Sequence, residues 1–326
     1  MPLNSEKLAV LMPVFNGGEN FRESVFSCAR SGLAASQYEI VVVDNCSRDG
    51  CTDQLPSRDS NGASIYIHRN SENLGRVGNW NRSVELALER GYRYITFLFG
   101  GDAWIAQGSL PRLFHLVREA DAAIGLSPFT IVDEEGRPKR SSRRFYISAN
   151  SAAIASSHQF FSTLLNSGLF PLGPLQANIY RISSNHHPRF DEKLPSRTDV
   201  MGTLEFLAET GRPVAIVSNA FFQWREHAGR FHASMGPRQT VCDYLETFHG
   251  ACARARIPVD YGRAKTRVLL NAARLIAQDA PPFQWPGLFL DLFRQSRRSP
   301  YKSDLSDLLE VLWLRFVLQR RLLQFT

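Results

Sequence analysis

Three polar residues could bind a nucleotide. Asp44 follows the apolar run Ile40 to Val43 and offers an acceptor for the imide N–H of uracil or the amino group of another base. Asp44 could equally be a turn residue, since the segment DNCSRDG is rich in turn formers. Arg76 could face a diphosphate with its two-pronged guanidinium, or be solvated at a helix start. Asn81 lies within a helical pattern, where asparagine is a poor helix former, so local structure alone explains it poorly.

These residues follow short apolar segments that alternate with helical patterns. Strands of four to six apolar residues alternating with helices indicate an α/β fold with a doubly wound, mostly parallel sheet. Ligands bind at the carboxyl ends of the strands in such sheets. Four segments fall at predicted strand ends and should share one rim of the sheet: Pro13–Asn16, Asp44–Ser47, Arg69–Asn73 and Gly100–Asp102.

The composition indicates which general class of protein the chain belongs to. The chain has 326 residues, of which 44% are hydrophobic and 21% charged, as in an ordinary globular protein. Its five cysteines form no CxxC pair, which predicts free thiols in a reducing compartment rather than a disulfide framework. There is no apolar run long enough to cross a bilayer and no signal-peptide pattern at the N-terminus. We therefore expect a cytoplasmic protein.

Two nucleotide-binding motifs are missing from the sequence. The loop after the first strand reads PVFNGGEN, which is not the GxGxxG of a dinucleotide site. The chain also lacks the GxxxxGK[ST] phosphate loop. Hydride transfer and ATP hydrolysis thus lose their main support.

Three motifs in order resemble the nucleotide-sugar half of the family 2 glycosyltransferases, which have the glycosyltransferase A fold. They are a Pro-x-aromatic-Asn loop, a Val-Val-Asp segment and an Asn-x-Gly…Asn stretch, matched here by Pro13, Phe15 and Asn16, by residues 42–50 and by residues 73–81. The resemblance covers about residues 7–235. It implies an inverting enzyme that moves a sugar from a nucleoside diphosphate to an acceptor hydroxyl, most often in bacterial capsule, lipopolysaccharide or exopolysaccharide assembly.

The resemblance also implies a set of nucleotide-sugar ligands. The donor site would contain Pro13, Phe15, Asn16, Asp44, Arg76, Asn81, Gly101 and Asp102. In the family, two or three acids end the fourth strand and hold a divalent metal against the diphosphate, whereas the segment FLFGGDAW has one, Asp102. An ungapped match puts Phe99 and Gly101 where acids are expected, and a register shifted by one residue puts Gly100 and Ala103 there instead.

The metal and the diphosphate could be held in more than one way. His227 could add a nitrogen ligand, which suits Mn²⁺ better than Mg²⁺, or be a structural or surface residue. Arg225 and Arg230 could neutralise the diphosphate directly. The glycines before Asp102 could let a diphosphate approach backbone N–H groups closely.

The catalytic base is implied at Asp199. In the family, an aspartate at a helix N-terminus follows an FDE segment, which is residues 190–192 here, and Thr198 replaces the first acid of the usual pair. Without the resemblance, Asp199 could be a first-turn acid stabilised by the helix dipole. Four residues are predicted to contribute to the acceptor side: Gly173, Pro174, Trp104 and Arg225.

Three regions follow from these matches. Residues 1–120 form the nucleotide-sugar half, residues 121–235 the acceptor half, and residues 236–326 a basic helical extension. The last 76 residues hold 13 Lys and Arg against 6 Asp and Glu, an excess that equals the net charge of +7. An amphipathic helix at 303–325 could lie on an anionic membrane or pack against protein.

Three functions remain to be compared. The leading prediction is the glycosyltransferase, with a glycan or lipid-linked acceptor. The missing carboxylates motivate a second hypothesis, a catalytically impaired relative that binds a nucleotide sugar or a partner enzyme. Nucleic-acid binding by the basic tail would be strongly salt-dependent, but nothing in residues 1–235 supports it, and we expect no nucleic-acid partner.

Overall fold

The computed structural model of the protein describes residues 4–106, 108–141, 151–167, 172, 174–193, 197–226 and 250. Within them lie twelve strands and five α-helices. The strands are β1 (Leu8–Val14), β2 (Tyr38–Asp44), β3 (Ile65–Arg69), β4 (Tyr94–Phe97), β5 (Ala103–Trp104), β6 (Ile124–Leu126), β7 (Thr130–Val132), β8 (Pro138–Ser141), β9 (Ala152–Ala155), β10 (Asn178–Arg181), β11 (Val214–Val217) and β12 (Phe222–Arg225). The helices are α1 (Gly18–Ser27), α2 (Gly75–Glu89), α3 (Leu110–Glu119), α4 (Ser157–Ser167) and α5 (Thr198–Thr210).

An eight-stranded sheet with the order β3-β2-β1-β4-β10-β6-β11-β9 forms the centre of the fold. The first four strands in this order are parallel, and β10 runs antiparallel to both β4 and β6. Only β9 and β10 oppose the other six strands. The structure therefore confirms the predicted α/β class with a mostly parallel sheet. It also joins the two predicted halves, because β10 from the second half pairs with β4 from the first.

A second sheet of four strands has the order β5-β12-β7-β8. The mostly apolar segment AAIGLSPFTIVD, residues 122–133, predicts a single strand from its sequence. The structure divides that segment into β6 and β7, which belong to different sheets. Pro128 lies between them and has no N–H for a sheet hydrogen bond, which favours a break there.

The chain divides into two compact units. The first comprises residues 1–157, 171–193 and 198–229 and contains both sheets. The second comprises residues 158–170, 194–197 and 230–326, and α4 is its described helix. The sequence prediction had placed its last boundary at 235/236. The predicted extension, with its helix at 303–325, lies outside the described residues except for Gly250.

Burial explains why the strands form. All residues of β2, and all of β1 except Pro13, are buried, as expected for strands covered on both faces. Helix α5 packs so closely on the segment before it that a Cβ on Gly202 would lie 2.2 Å from the carbonyl oxygen of Arg189. No helix in the described ranges has the length and apolar character needed to cross a membrane.

Replacing Gly202 with alanine should lower the melting temperature. Alanine normally favours a helix interior over glycine by about 1 kcal/mol, so helix propensity alone predicts stabilisation. We expect the opposite sign, because the new methyl group overlaps the Arg189 carbonyl, and overpacking costs about 1–3 kcal/mol. Thermal unfolding of Gly202→Ala and of the control Glu209→Ala, at an exposed position of the same helix, tests this. An increase in melting temperature for Gly202→Ala would contradict the packing.

Candidate functional site

The loops after β1 and β2 are tied together at the rim of the sheet. Asn16, at φ 50°, donates its N–H to Ser47 Oγ (2.9 Å), and its own side-chain oxygen accepts the N–H of Arg48 (2.9 Å). Gly18 N–H donates to Asp49 Oδ2 (2.9 Å). Phe15 lies beside these bonds with 50% of its surface exposed. The loops thus form a fixed edge that presents one aromatic side chain to solvent, and Pro13 leads into it from β1.

Asp44 ends β2 and is completely buried. Its Oδ1 accepts the N–H of Ser47 at 2.8 Å, and its Oδ2 accepts the hydroxyl of Thr52 at 3.3 Å. The Arg69 guanidinium lies 3.3 Å from Oδ2. This is the turn arrangement that the sequence left open as an alternative. Base recognition by Asp44 stays a prediction, and it would require this buried carboxylate to become accessible.

A buried asparagine, Asn45, holds the strand ends together and was not singled out from the sequence. Its Oδ1 accepts from Asn70 Nδ2 (3.0 Å) and from the N–H of Leu74 (2.9 Å). Its Nδ2 donates to Asn73 Oδ1 (2.7 Å) and to the carbonyl of Gly75 (3.0 Å). The single amide thereby fixes the segment that starts α2 and leads to Arg76.

Asn79 extends this network into the helix. Its Oδ1 accepts a second bond from Asn70 Nδ2 (2.9 Å), and its Nδ2 donates to the Val43 carbonyl (3.0 Å). A sequence signal was available, because Asn79 is a poor helix former inside a helical pattern, as Asn81 is. The asparagines therefore anchor α2 to β2 through side-chain amides.

Asn81 lies on α2 and contacts the segment that precedes α5. Its Nδ2 donates to the carbonyl of Phe190, and its Oδ1 accepts the N–H of Phe190, both at 2.9 Å. The sequence placed Asn81 in the nucleotide site, whereas the structure shows its amide bonded to the backbone of Phe190. This pair of bonds accounts for an asparagine inside the helix.

An aromatic cluster surrounds the same segment and includes Phe99, which the ungapped match aligns with an acid of the family. Phe99 stacks on Trp80 with ring centroids 5.3 Å apart, and Phe190 meets Trp80 edge-on at 5.7 Å. The Arg76 guanidinium lies over the Trp80 ring, 4.5 Å from its centroid. Burial lowers the pKa of Arg76, and the Asp199 carboxylate acts in the opposite direction. Arg76 therefore lies within electrostatic range of the predicted base.

The two glycines before Asp102 form a turn packed against α1. Gly101 has φ +90°, a conformation that glycine adopts without strain, and its N–H donates to Ser24 Oγ (3.0 Å) and the Asn20 carbonyl (3.3 Å). The N–H of Asp102 donates to the Phe99 carbonyl (3.1 Å). The N–H groups of Gly101 and Asp102 are thus engaged within the protein, and close approach of a diphosphate to the backbone of this turn stays a prediction.

Asp102 joins three segments of the chain. Its carboxylate is 1% exposed. Its Oδ2 accepts a hydrogen bond from Gln176 Nε2 at 2.5 Å, and its Oδ1 accepts the N–H of Arg225 at 3.1 Å. Gln176 was missed from the sequence, where it followed a Gly/Pro-rich segment that gave no signal beyond turns. The turn after β4, the segment before β10 and the end of β12 thus meet at one carboxylate.

The residues predicted for the acceptor side are spread over different environments. Trp104 is 1% exposed and lies in the hydrophobic core, so we leave it out of the site. Pro174 precedes the turn that carries Gln176. Arg225 is partly exposed, and its Nη1 lies 3.5 Å from Glu23 Oε2 on α1. The predicted residues Gly173, His227 and Arg230 lie outside the described residues.

Asp199 lies in the first turn of α5, as predicted. It is partly buried, and its Oδ1 is 2.9 Å from the N–H of Val200. Thr198, which replaces the first acid of the family pair, is 1% exposed, and its Oγ1 has no hydrogen-bond partner in the described part of the chain. The arrangement leaves one carboxylate, at a helix N-terminus, to act as a base.

The described residues near Asp102 supply some, but not all, of the ligands that a divalent cation needs. The described residues contain no group of three or more His, Cys, Asp or Glu side chains placed to hold a metal. However, Gln176 Oε1 is buried and lacks a hydrogen-bond partner in those same ranges. One carboxylate and one amide oxygen are donors that hard cations accept, and substrate phosphates commonly complete the shell of Mg²⁺.

Comparison with known protein families and proteins supports the resemblance seen in the sequence. The sequence profile of the family described as "Glycosyl transferase family 2" matches residues 9–171. Among curated proteins, the poly(ribitol-phosphate) beta-N-acetylglucosaminyltransferase TarS of Staphylococcus aureus is 23% identical over 229 residues, 70% of this chain and 37% of TarS. The undecaprenyl-phosphate mannosyltransferase of Micrococcus luteus is 27% identical over 119 residues, 36% of this chain and 47% of that enzyme. The chain therefore spans less than half the length of each of these two curated relatives.

Solved structures share the fold. Residues 1–349 of S. aureus TarS in complex with UDP-GlcNAc superpose with a TM-score of 0.63 at 18% identity, covering 90% of this chain and 82% of that one. The mannosyltransferase PcManGT from Pyrobaculum calidifontis, in complex with GDP-Man and Mn²⁺, gives a TM-score of 0.51 at 12% identity and covers 95% and 86%. The likeness confirms the predicted glycosyltransferase A fold.

The contacts of Asn81 predict a structural phenotype. Asn81→Ala removes both bonds to the Phe190 backbone and should lower the free energy of unfolding by about 1–3 kcal/mol. The control Glu85→Ala, at an exposed position of α2, should change it by no more than about 0.5 kcal/mol. Urea unfolding measures both, and calorimetric titration with UDP should find the nucleotide affinity of Asn81→Ala unchanged. Weaker nucleotide binding with unchanged stability would instead support the predicted place of Asn81 in the nucleotide site.

Proposed function

The chain belongs to glycosyl transferase family 2, and on this basis we propose that it is an inverting glycosyltransferase that moves a sugar from a nucleoside diphosphate to an acceptor hydroxyl. The observation that carries the proposal is the placement of Arg76 and Asp199. Arg76 on α2 lies over Trp80 in the aromatic cluster, and the Asp199 carboxylate on α5 acts to raise the pKa of Arg76 against the larger, lowering effect of burial. Transfer of a glycosyl group needs charge neutralisation at the leaving diphosphate and a proton acceptor at the attacking hydroxyl.

Asp199 is proposed as the proton acceptor. The acceptor oxygen attacks the anomeric carbon, the bond from that carbon to the diphosphate oxygen breaks, and the hydroxyl proton passes to the Asp199 carboxylate. The nucleoside diphosphate leaves from the opposite face, so the configuration inverts.

Arg76 is proposed to bind the donor diphosphate. Its guanidinium is held over Trp80 and is partly desolvated. A planar guanidinium in such a setting forms strong, paired hydrogen bonds to phosphate oxygens. The network around Asn45 fixes the start of α2, which sets the position from which Arg76 reaches the donor.

A divalent cation, Mn²⁺ or Mg²⁺, held at Asp102 would offset negative charge on the leaving diphosphate. His227 remains a predicted further ligand. The Mn²⁺ bound by PcManGT, which shares the fold, supports the use of a cation in this chain.

The acceptor is proposed to be a glycan or lipid-linked molecule of a bacterial surface polysaccharide. The activities of the relatives support this, since TarS acts on poly(ribitol-phosphate) and the Micrococcus enzyme on undecaprenyl phosphate. Arg225, whose N–H donates to Asp102, and Pro174, which precedes the turn that carries Gln176, are the described candidates for the acceptor side. A cytoplasmic location and contact of residues 303–325 with the membrane surface would bring the enzyme to a lipid-linked acceptor.

Substitution of Asp199 tests the reaction. Asp199→Asn keeps the shape and removes the basic oxygen, so we expect sugar transfer and donor hydrolysis to fall by about 10²- to 10⁴-fold. Donor affinity, measured by calorimetric titration with UDP-, GDP- and dTDP-sugars with and without Mn²⁺, should be retained. Asp191→Asn, at an exposed position before α5, serves as the control and should keep wild-type activity. Donor binding by the wild type without any turnover would instead support a catalytically impaired relative.

Substitution of Arg76 tests donor binding. Arg76→Ala should raise the KM for the donor by about tenfold or more, because a charge-assisted pair of hydrogen bonds to the diphosphate is lost. Arg82→Ala on the same helix removes an arginine whose Nη1 pairs with Glu85 and Glu89, and the donor KM should stay unchanged. Steady-state kinetics with the best donor of the panel measure both. Equal effects of the two substitutions would contradict a specific role for Arg76.

A further inference from the structure

The Gln176 side chain is buried against Asp102, and only one end of its amide has a hydrogen-bond partner among the described residues. Both residues are 1% exposed, and Gln176 Nε2 donates to Asp102 Oδ2 at 2.5 Å. Gln176 Oε1, at the other end of the same amide, has no hydrogen-bond partner among the described residues. A buried acceptor without a donor is costly, and in native proteins such an atom points to a functional role or to a bound ion or water.

The two ends of a glutamine amide have nearly the same shape, so a half turn about the last side-chain torsion needs no new space. In the described orientation, the nitrogen faces the carboxylate and the oxygen is unpartnered. After a half turn, the oxygen faces the carboxylate and the nitrogen takes the unpartnered position. The turn therefore loses one hydrogen bond, the bond to Asp102, and leaves the number of unpartnered amide atoms unchanged.

A cation decides which orientation is stable. Two oxygens facing each other repel when nothing lies between them, and the NH₂ group then turns to the carboxylate. A divalent cation reverses this preference because it attracts the carboxylate and the amide oxygen together. The segment that follows β4 supplies one carboxylate, and the turn before β10 supplies the second oxygen.

We propose that Gln176 is a protein ligand of the divalent cation that binds the donor diphosphate, in partnership with Asp102. This inference rests on the proposed function. A neutral amide oxygen brings one negative charge fewer than a second carboxylate, so the protein alone binds the cation weakly. The diphosphate must supply the missing charge, and cation binding therefore depends on the nucleoside diphosphate being present.

Mn²⁺ titration of the full chain tests the proposal. Free Mn²⁺ is measured by electron paramagnetic resonance in the presence and absence of UDP or GDP, whichever nucleotide the wild type binds. Gln176→Leu removes the oxygen at similar size and should weaken Mn²⁺ binding in the nucleotide complex by about tenfold. Gln176→Glu supplies a second carboxylate and should strengthen it by about tenfold, with binding now measurable without nucleotide. The control Gln54→Glu adds the same charge at an exposed position and should leave Mn²⁺ binding unchanged.

The outcomes separate this inference from the proposed function. Opposite shifts for Gln176→Leu and Gln176→Glu support a ligand role, and the increase in melting temperature caused by Mn²⁺ should follow the same order. Unchanged Mn²⁺ binding in both variants, or equal weakening in both, overturns it, even if the wild type transfers sugar. Failure of the wild type to bind any nucleoside diphosphate counts against the proposed function instead.

If either variant fails to fold, a crystal structure of the wild type with Mn²⁺ and the nucleotide decides the question. We expect the anomalous Mn²⁺ peak within about 2.5 Å of both an Asp102 carboxylate oxygen and Gln176 Oε1. A Mn²⁺ peak at Asp102 with the Gln176 nitrogen still bonded to the carboxylate would refute the ligand role.

Discussion

A buried carboxylate has to be hydrogen-bonded or paired, and Asp102 meets this requirement by bringing three distant segments to one point. Gln176 Nε2 and the N–H of Arg225 both donate to it. The turn that carries Asp102 is in turn fixed to α1, since Gly101 N–H donates to Ser24 Oγ. The position of the turn after β4 therefore depends on the positions of the turn before β10 and of the end of β12. The single carboxylate in this turn is thus part of the architecture as well as part of the proposed site.

The other side of the site is organised by amides rather than charges. The bonds of Asn45 and Asn79 hold the start of α2 to the end of β2, and Asn81 holds the middle of the helix to the backbone of Phe190. Each amide donates and accepts at the same time, so these contacts add no net charge at a rim where we propose that a diphosphate binds. The Arg76 guanidinium lies over the ring of Trp80 on that helix, and we propose that it binds the donor diphosphate.

The departures from the family motif have local explanations. Phe99, which takes the place of an acid in one of the two possible registers, packs on Trp80, and Gly101 adopts a positive φ in the turn before Asp102. Stacked aromatic rings are stabilising at the spacing seen here. The turn therefore combines an aromatic cluster with one carboxylate that accepts a hydrogen bond from the Gln176 amide.

The sequence by itself determined the fold class, the positions of the first four strands along the chain and the family, because apolar runs and motifs near strand ends are local patterns. It also placed Asp199 at the start of a helix, whereas Asp102, predicted at the end of the fourth strand, lies in the turn between β4 and β5. The tertiary structure alone decided which of these residues meet. Gln176 and Asp102 are 74 positions apart, and Asn81 and Phe190 are 109 positions apart. No local pattern encodes such pairs. Their contact depends on β10 pairing with β4 and on α5 packing against the segment before it, which are properties of the folded chain.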